Sequence, residues 1–268
     1  MRPLLPAAMQ SKIPQAQSAG VWPAPRHVRK MLVLQGCAQP ATTPLTNAAA
    51  ARVLDKLGVS LLEISTATCC GALSHHLNAE QEAHNFARRN IDAWWPHIMA
   101  GAEAIVMTAS GCGVMVKDYG HFLRHDPDYA EKAQQVSAMT RDLTEILMLE
   151  DLSSLDLRVT GPVAVHAPCT LQHGQQLTGV LEQLLHRAGF ELTAVPDAHL
   201  CCGSAGTYSI LQPELSQQLL QQKLTALTTG KPVQIVTANV GCQLHLASKS
   251  PLPVRHWIEL FDGAAHRH

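Results

Sequence analysis

The sequence predicts an α/β protein of two pseudo-repeated lobes, each a small parallel sheet flanked by helices. Three observations lead there. The eight cysteines form two quartets, C-x31-C-C-x41-C and C-x31-C-C-x39-C, with Cys37 and Cys169, and again Cys69 and Cys201, standing 132 residues apart. Such internal self-similarity marks a duplicated structural unit. Short Val/Ile/Leu-rich runs alternate with longer helical patterns in the same order in both halves, which implies right-handed crossovers between parallel strands. Finally, 268 residues with 46% hydrophobic and 15% charged side chains suffice for one or two buried cores.

The elements follow in order. Residues 31–35 read as a buried strand, 46–57 as an alanine-rich helix, 59–64 as a second strand, 79–97 as a long helix and 104–108 as a third strand. The second half repeats the series at 163–166, 176–188, 191–195, 214–226 and 234–237. Asn78 and Pro213 are the expected start signals of the long helix in each half. The boundaries that result are a linker or tail over residues 1–30, a first lobe over 31–150 and a second over 160–262. Local wording strengthens the duplication, since Cys69-Cys70-Gly71 pairs with Cys201-Cys202-Gly203 and Gly111-Cys112 with Gly241-Cys242.

One βαβ step takes about 30 residues and returns the chain to the same sheet edge. The x31 spacing therefore has a structural meaning. Cys37 follows the first strand, Cys69 and Cys70 the second, and Cys112 the third; Cys169, Cys201, Cys202 and Cys242 repeat this arrangement. Each lobe is expected to bring its four thiols to the C-terminal edge of its sheet, where open α/β folds hold ligands. Cys37, Cys112, Cys169 and Cys242 also fall near expected helix starts, where free N–H groups favour a thiolate. Gly71 and Gly203 let the backbone turn sharply or approach inorganic sulfur.

Buried apolar cysteine gives no reason for matched adjacent pairs. A disulfide framework suits small secreted chains, and this one has no apolar h-region near its start. Metal or cluster ligation by thiolate accounts for the pattern best. The spacing matches neither the C-x2–4-C knuckles of structural zinc nor ferredoxin C-x2-C-x2-C runs, so it leaves iron–sulfur and zinc both open. Twenty basic against 21 acidic residues leave no electrostatic footprint for nucleic acid. The most apolar stretch, 94–107, is broken by Pro96, His97, Gly101 and Glu103, so no transmembrane segment is expected. A cytoplasmic protein, at most peripheral at the inner face of the cell membrane, is expected. Gly203-Ser204-Ala205-Gly206 is too short for a dinucleotide loop, and no Ser/His/Asp triad or paired carboxylates suggest an acid–base catalyst.

These residues resemble the CCG, or cysteine-rich, domain pair of glycolate oxidase iron–sulfur subunits, lactate-utilisation proteins and the cysteine-rich subunit of heterodisulfide reductases. The wording is nearest the glycolate oxidase type at Cys69-Cys70-Gly71-Ala72-Leu73, Ser110-Gly111-Cys112-Gly113, Val116-Lys117-Asp118-Tyr119-Gly120 and His166-Ala167-Pro168-Cys169-Thr170-Leu171-Gln172-His173-Gly174. The resemblance spans about 31–260. It implies an oxidoreductase subunit that carries an iron–sulfur cluster, of the 4Fe-4S kind, on all eight cysteines and relays electrons from flavoprotein partners. FAD would sit only on those partners. Met115 and His245 stand where the heterodisulfide type has a fifth cysteine, so a five-cysteine cluster is not implied. The tetracysteine runs of the family's N-terminal ferredoxin domain do not precede Cys37, which points to a separate ferredoxin-type partner or a shortened form. A zinc-bound or metal-free docking scaffold, or the equivalent subunit of a lactate or heterodisulfide oxidoreductase, are the alternative readings.

Among other residues, His166 and His173 flank Cys169 and could donate hydrogen bonds to sulfur or replace a thiolate. His245 is a further candidate ligand. His75 and His76 read as rim residues, Lys117, Asp118 and Tyr119 as a solvated helix face or a docking contact, and Trp94 and Trp95 as core or interface area.

Overall fold

The computed structural model describes residues 18–157 and 161–263; most of the linker expected over 1–30 lies outside them. Two wholly parallel sheets organise the chain. The first has strand order β2-β1-β3-β4, from β1 (Arg29–Val33), β2 (Val59–Glu63), β3 (Ile105–Met107) and β4 (Thr140–Asp142). The second has order β5-β6-β7, from β5 (Val163–His166), β6 (Gln234–Thr237) and β7 (Val254–His256), with Leu192 bridged in parallel to Val163 on the free side of β5. Counting that bridge as the remnant of a strand, both sheets share one topology.

Side-chain alternation in the strands decides the layering. Met31 and Val33 face one way into a buried cluster with Val163, Val165 and Val236 of the other sheet and with Trp257 and Phe261 of the turn after β7. Leu32 and Leu34 face the opposite way, onto Ile91, Trp94 and Met107. In the second sheet Ala164 and Ile235 form a third cluster with Leu220 and Leu224. The central cluster is therefore common to both lobes, and the outer two are private.

Helix α1 (Leu45–Lys56) presents Ala48 to Ala51, Val53 and Leu54 to the interior, and its run of alanines allows the backbone to come close to neighbouring elements. Helix α2 (Glu80–Met99) covers the outer face of the first sheet through Ala83, Ala87, Ile91 and Trp94. The other helices named here are α3 (Ser110–Lys117), α4 (Ala130–Met139), α5 (Leu143–Leu149), α6 (Val180–Arg187), α7 (Pro213–Thr228) and α8 (Val240–Ala247). Among the described residues no helix is long and apolar enough to cross a membrane. Residues 19–27 lie against the first lobe, where Trp22 Nε1 donates to the Leu61 carbonyl at 3.1 Å and Arg52 binds the Ala19 and Val21 carbonyls.

Several expectations need correction. The strand expected at 191–195 is reduced to the Leu192 bridge, because Pro196 cannot donate to a ladder and Asp197 turns the chain at φ 48°. The helix expected from residue 176 begins at Val180, since Gln176 (φ 59°) and Gly179 (φ 77°) are left-handed. Asn78 likewise has φ 59° and precedes α2 without capping it, whereas Pro213 does open α7. Strands β4 and β7 were not expected, being three residues long and carrying Arg141, Asp142, Arg255 and His256. They extend the duplication, for each leads into a capping box, Asp142 with Glu145 and His256 with Glu259.

Candidate metal centre

All eight cysteines lie in loops and helix starts just beyond strand ends. Cys37 is exposed two residues before a short helical turn, Cys69 and Cys70 follow β2, and Cys112 is the third residue of α3. In the second lobe Cys169 immediately precedes one widened π-helical turn (Thr170–Gly174), Cys201 and Cys202 follow the Leu192 bridge, and Cys242 is the third residue of α8. The thiols interact in a chain in each lobe. Cys37 touches Cys69, Cys69 touches Cys70, and Cys70 touches Cys112; Cys169, Cys201, Cys202 and Cys242 do the same. Successive thiols of each expected quartet thus lie within reach of one another, pair by pair.

The local backbone explains how. Gly71 (φ 85°) and Gly203 (φ 89°) turn left-handed after the cysteine pair, and their N–H groups point back at Cys69 Sγ (3.4 Å) and Cys201 Sγ (3.3 Å). A Cβ on Gly71 would stand 3.1 Å from the Ala83 carbonyl, and on Gly203 2.5 Å from the Ser216 carbonyl. The close approach is therefore to the backbones of α2 and α7.

Two anchors on those helices were missed from sequence. Buried Asn90 donates to the Cys69 carbonyl at 2.8 Å and to Tyr119 Oη at 3.0 Å, and the Tyr119 hydroxyl donates to the Cys70 carbonyl at 2.8 Å. At the matching place on α7, Lys223 is 3% exposed and donates to the Asp197 and Ala198 carbonyls. The sequence carried no signal for the pair, since the 132-residue repeat offset sets Asn90 against Gln222 and not Lys223. Tyr119 is wholly buried, and Lys117 is paired with Glu145 at 2.5 Å, so neither belongs to a free solvated face.

Charge in these pockets is frustrated. The hydrogen bond with Cys69, then burial, pushes Cys37 up; Cys112 holds Cys70 well above the usual thiol value. Cys69 is pulled down by Cys37 but raised on balance by Cys70 and burial. In the second lobe Cys169 holds Cys201 far down while Cys201 forces Cys202 far up, and Cys202 and the His166 imidazole hold Cys242 low. Four packed thiols cannot all ionise on their own, because each thiolate repels the next. A cationic centre in their midst removes the protons and relieves that repulsion. These donor sets fit a metal or iron–sulfur group in each lobe.

The histidines divide. His166 is buried with Cys202 and Cys242, its donor atom and theirs all within 4.8 Å of one another. His173 is exposed. His245 is hydrogen-bonded to Ser216 Oγ at 3.2 Å, which in turn donates to the Gly203 carbonyl. His75 is half-buried edge-on against Phe122, and Trp94 is fully buried in the outer core.

The two quartets flank a seam between the lobes. Gly111 N–H donates to Asn239 Oδ1, Ser110 Oγ shares a 2.7 Å hydrogen bond with Thr170 Oγ1, and Gln175 Nε2 donates to the Ser110 carbonyl and Asp142 Oδ2. From the opposite lobe His256 meets the Thr108 carbonyl at 2.8 Å.

Paired parallel-sheet lobes with matched thiol quartets define a duplicated cysteine-rich metal-site protein. Residues 31–117 and 163–247 match the family described as CCG, cysteine-rich domain, and the chain belongs to that family. It is 54% identical over 269 residues to the glycolate oxidase iron-sulfur subunit of Escherichia coli K12, covering 100% of this chain and 66% of that protein. The chain thus spans about two thirds of that relative's length. Lactate utilization protein A of Geobacillus thermodenitrificans is 27% identical over 227 residues, covering 80% of this chain and 90% of that one. A solved structure titled PH1733, an aspartate racemase homologue from Pyrococcus horikoshii, overlaps 88% of this chain and 96% of its own at a TM-score of 0.35 and 12% identity.

Proposed function

We propose that this chain is the iron–sulfur electron-transfer part of a glycolate-oxidising complex, converting glycolate to glyoxylate together with flavoprotein partners. The observation that carries the reading is the run of four successive, mutually interacting thiols beyond the strand ends of each sheet. Cys37, Cys69, Cys70 and Cys112 would hold one cluster of the 4Fe-4S kind, and Cys169, Cys201, Cys202 and Cys242 another, within lobes at 31–150 and 160–262. Once bound, such a cluster supplies a one-electron relay. The chain's own residues do the positioning. Gly71 and Gly203 fold the cysteine pair inward, Asn90 and Tyr119 clamp the Cys69 and Cys70 carbonyls, and Lys223 places a positive charge near the second thiolate set.

Hydride removal from the 2-hydroxy acid would belong to FAD on partner subunits, and a ferredoxin-type domain or protein would complete the path to the acceptor. The glycolate assignment is supported by the 54% identity to the protein of that name. Lactate is the second reading, because the lactate-utilisation relative is matched over nine-tenths of its own length.

The test is iron and acid-labile sulfide content of the anaerobically purified protein, followed by dye reduction in complex with the flavoprotein subunits. Iron and sulfide in comparable amounts are expected, and Cys70→Ser and Cys202→Ser should each lower glycolate-dependent dye reduction by roughly 100-fold. Zinc alone, no metal, or unchanged activity in both variants would leave a docking scaffold in its place. A rate with lactate above that with glycolate would move the substrate.

A further inference from the structure

His166 closes strand β5 and is 1% exposed. Both ring nitrogens are shut away from solvent without a well-formed hydrogen bond, and the imidazole acts on the Cys242 thiol beside it. A buried imidazole whose company is thiol sulfur stands where a metal ligand would stand. The ring lies against Cys202 and Cys242, and the three donor atoms fall within 4.8 Å of one another. Among the described residues, no other three donors from histidine, cysteine or carboxylate side chains come together so closely.

The duplication supplies an internal control. His166 stands three residues before Cys169, and Leu34 stands three residues before Cys37. Leu34 is equally buried, and packs into the outer apolar cluster of the first lobe. A leucine satisfies that position where only packing is needed. The second lobe instead carries a buried imidazole beside two sulfurs. Imidazole nitrogen and thiolate sulfur both suit iron and zinc.

We propose that the two lobes hold chemically unlike centres: a sulfur-ligated one in the first, and in the second a mixed nitrogen–sulfur one in which His166 ligates directly alongside Cys202 and Cys242. Cys169 and Cys201 complete the outer side of the second site. The inference rests on the iron–sulfur reading above and goes beyond it by distinguishing the sites.

The experiment is pulsed EPR on the full chain, purified anaerobically, reduced with dithionite and grown with and without 15N-histidine. A directly coordinated nitrogen coupling is expected in one of two signals, converting from 14N to 15N with the label. It should vanish in His166→Leu, which installs the first lobe's residue, and in His166→Cys, which should retain the iron and sulfide of the parent. A wild-type signal without histidine coupling, with iron and sulfide present, overturns this inference and leaves the electron-transfer reading standing. Coupling that persists in both variants also overturns it. Absence of iron, sulfide or any reducible signal overturns both.

Discussion

At the residue scale, glycine and the buried anchors carry the arrangement. Gly203 combines a left-handed backbone with a Cβ position 2.5 Å from the Ser216 carbonyl, whereas at Gly71 the corresponding gap to Ala83 is 3.1 Å. Left-handed backbone costs a non-glycine residue about 1–2 kcal/mol before any clash. Gly203→Ala is therefore expected to lose more stability in urea than Gly71→Ala, by about 1 kcal/mol or more for the added backbone clash. Equal losses would show that α7 yields as easily as α2. The sequence exposes both glycines through their place after the cysteine pairs. It conceals what they meet, because the opposing carbonyls lie 12 and 13 residues further along the chain.

Elements show the same division. The long helices, the alanine-rich helix and the interior strands announce themselves by period, since each has one face or two to bury. Strands β4 and β7 do not, for a three-residue strand has no period to read. Yet the turn that follows β7 is a sensitive point. His256 caps that turn through Ile258 N–H and meets the Thr108 carbonyl of the other lobe, and burial pushes its imidazole down to about 3 from 6.5. The native state then binds fewer protons than the unfolded chain between those values, so stability is lost as pH falls from about 6.5. Glu259, which burial raises to about 7, acts in the opposite sense, losing stability as pH rises towards that value. Comparison with His256→Asn, which retains a capping side chain and Glu259, isolates the histidine. Between pH 7 and pH 5 the parent should lose about 2 kcal/mol more than the variant in chemical denaturation. Parallel pH profiles would remove His256 from the acid response.

The whole molecule is joined by its central core. Met31 and Val33 of the first lobe share a buried cluster with Val163, Val165, Trp257 and Phe261 of the second, and Arg52 pairs with Asp262 at 2.6 Å across the same region. Two lobes that share apolar surface lose it together when either opens. Trp257→Ala, in the second lobe, should cost about 3–5 kcal/mol and lower the unfolding midpoint seen by Trp94 in the first lobe as much as that seen in the second. A first-lobe signal that keeps its parental midpoint would show that the lobes unfold separately. The same coupling holds the two thiol sets at fixed places along the seam through Ser110, Thr170, Asn239 and Gln175.

From the sequence alone, the duplication, the alternation of strand and helix and the eight thiols follow directly, because period and spacing are properties of the chain read in order. Membership of the cysteine-rich family rests on the same residues. Only the tertiary structure decided that the lobes share a core, that β4 and β7 extend each sheet, that Asn90 and Lys223 occupy equivalent anchors, and that His166 rather than His173 or His245 meets the sulfurs. Each of those depends on which side of an element a residue faces and what another segment, far away in the chain, brings to that side. Sequence spacing delivers thiols to a sheet edge. Packing determines which other donors are shut in with them.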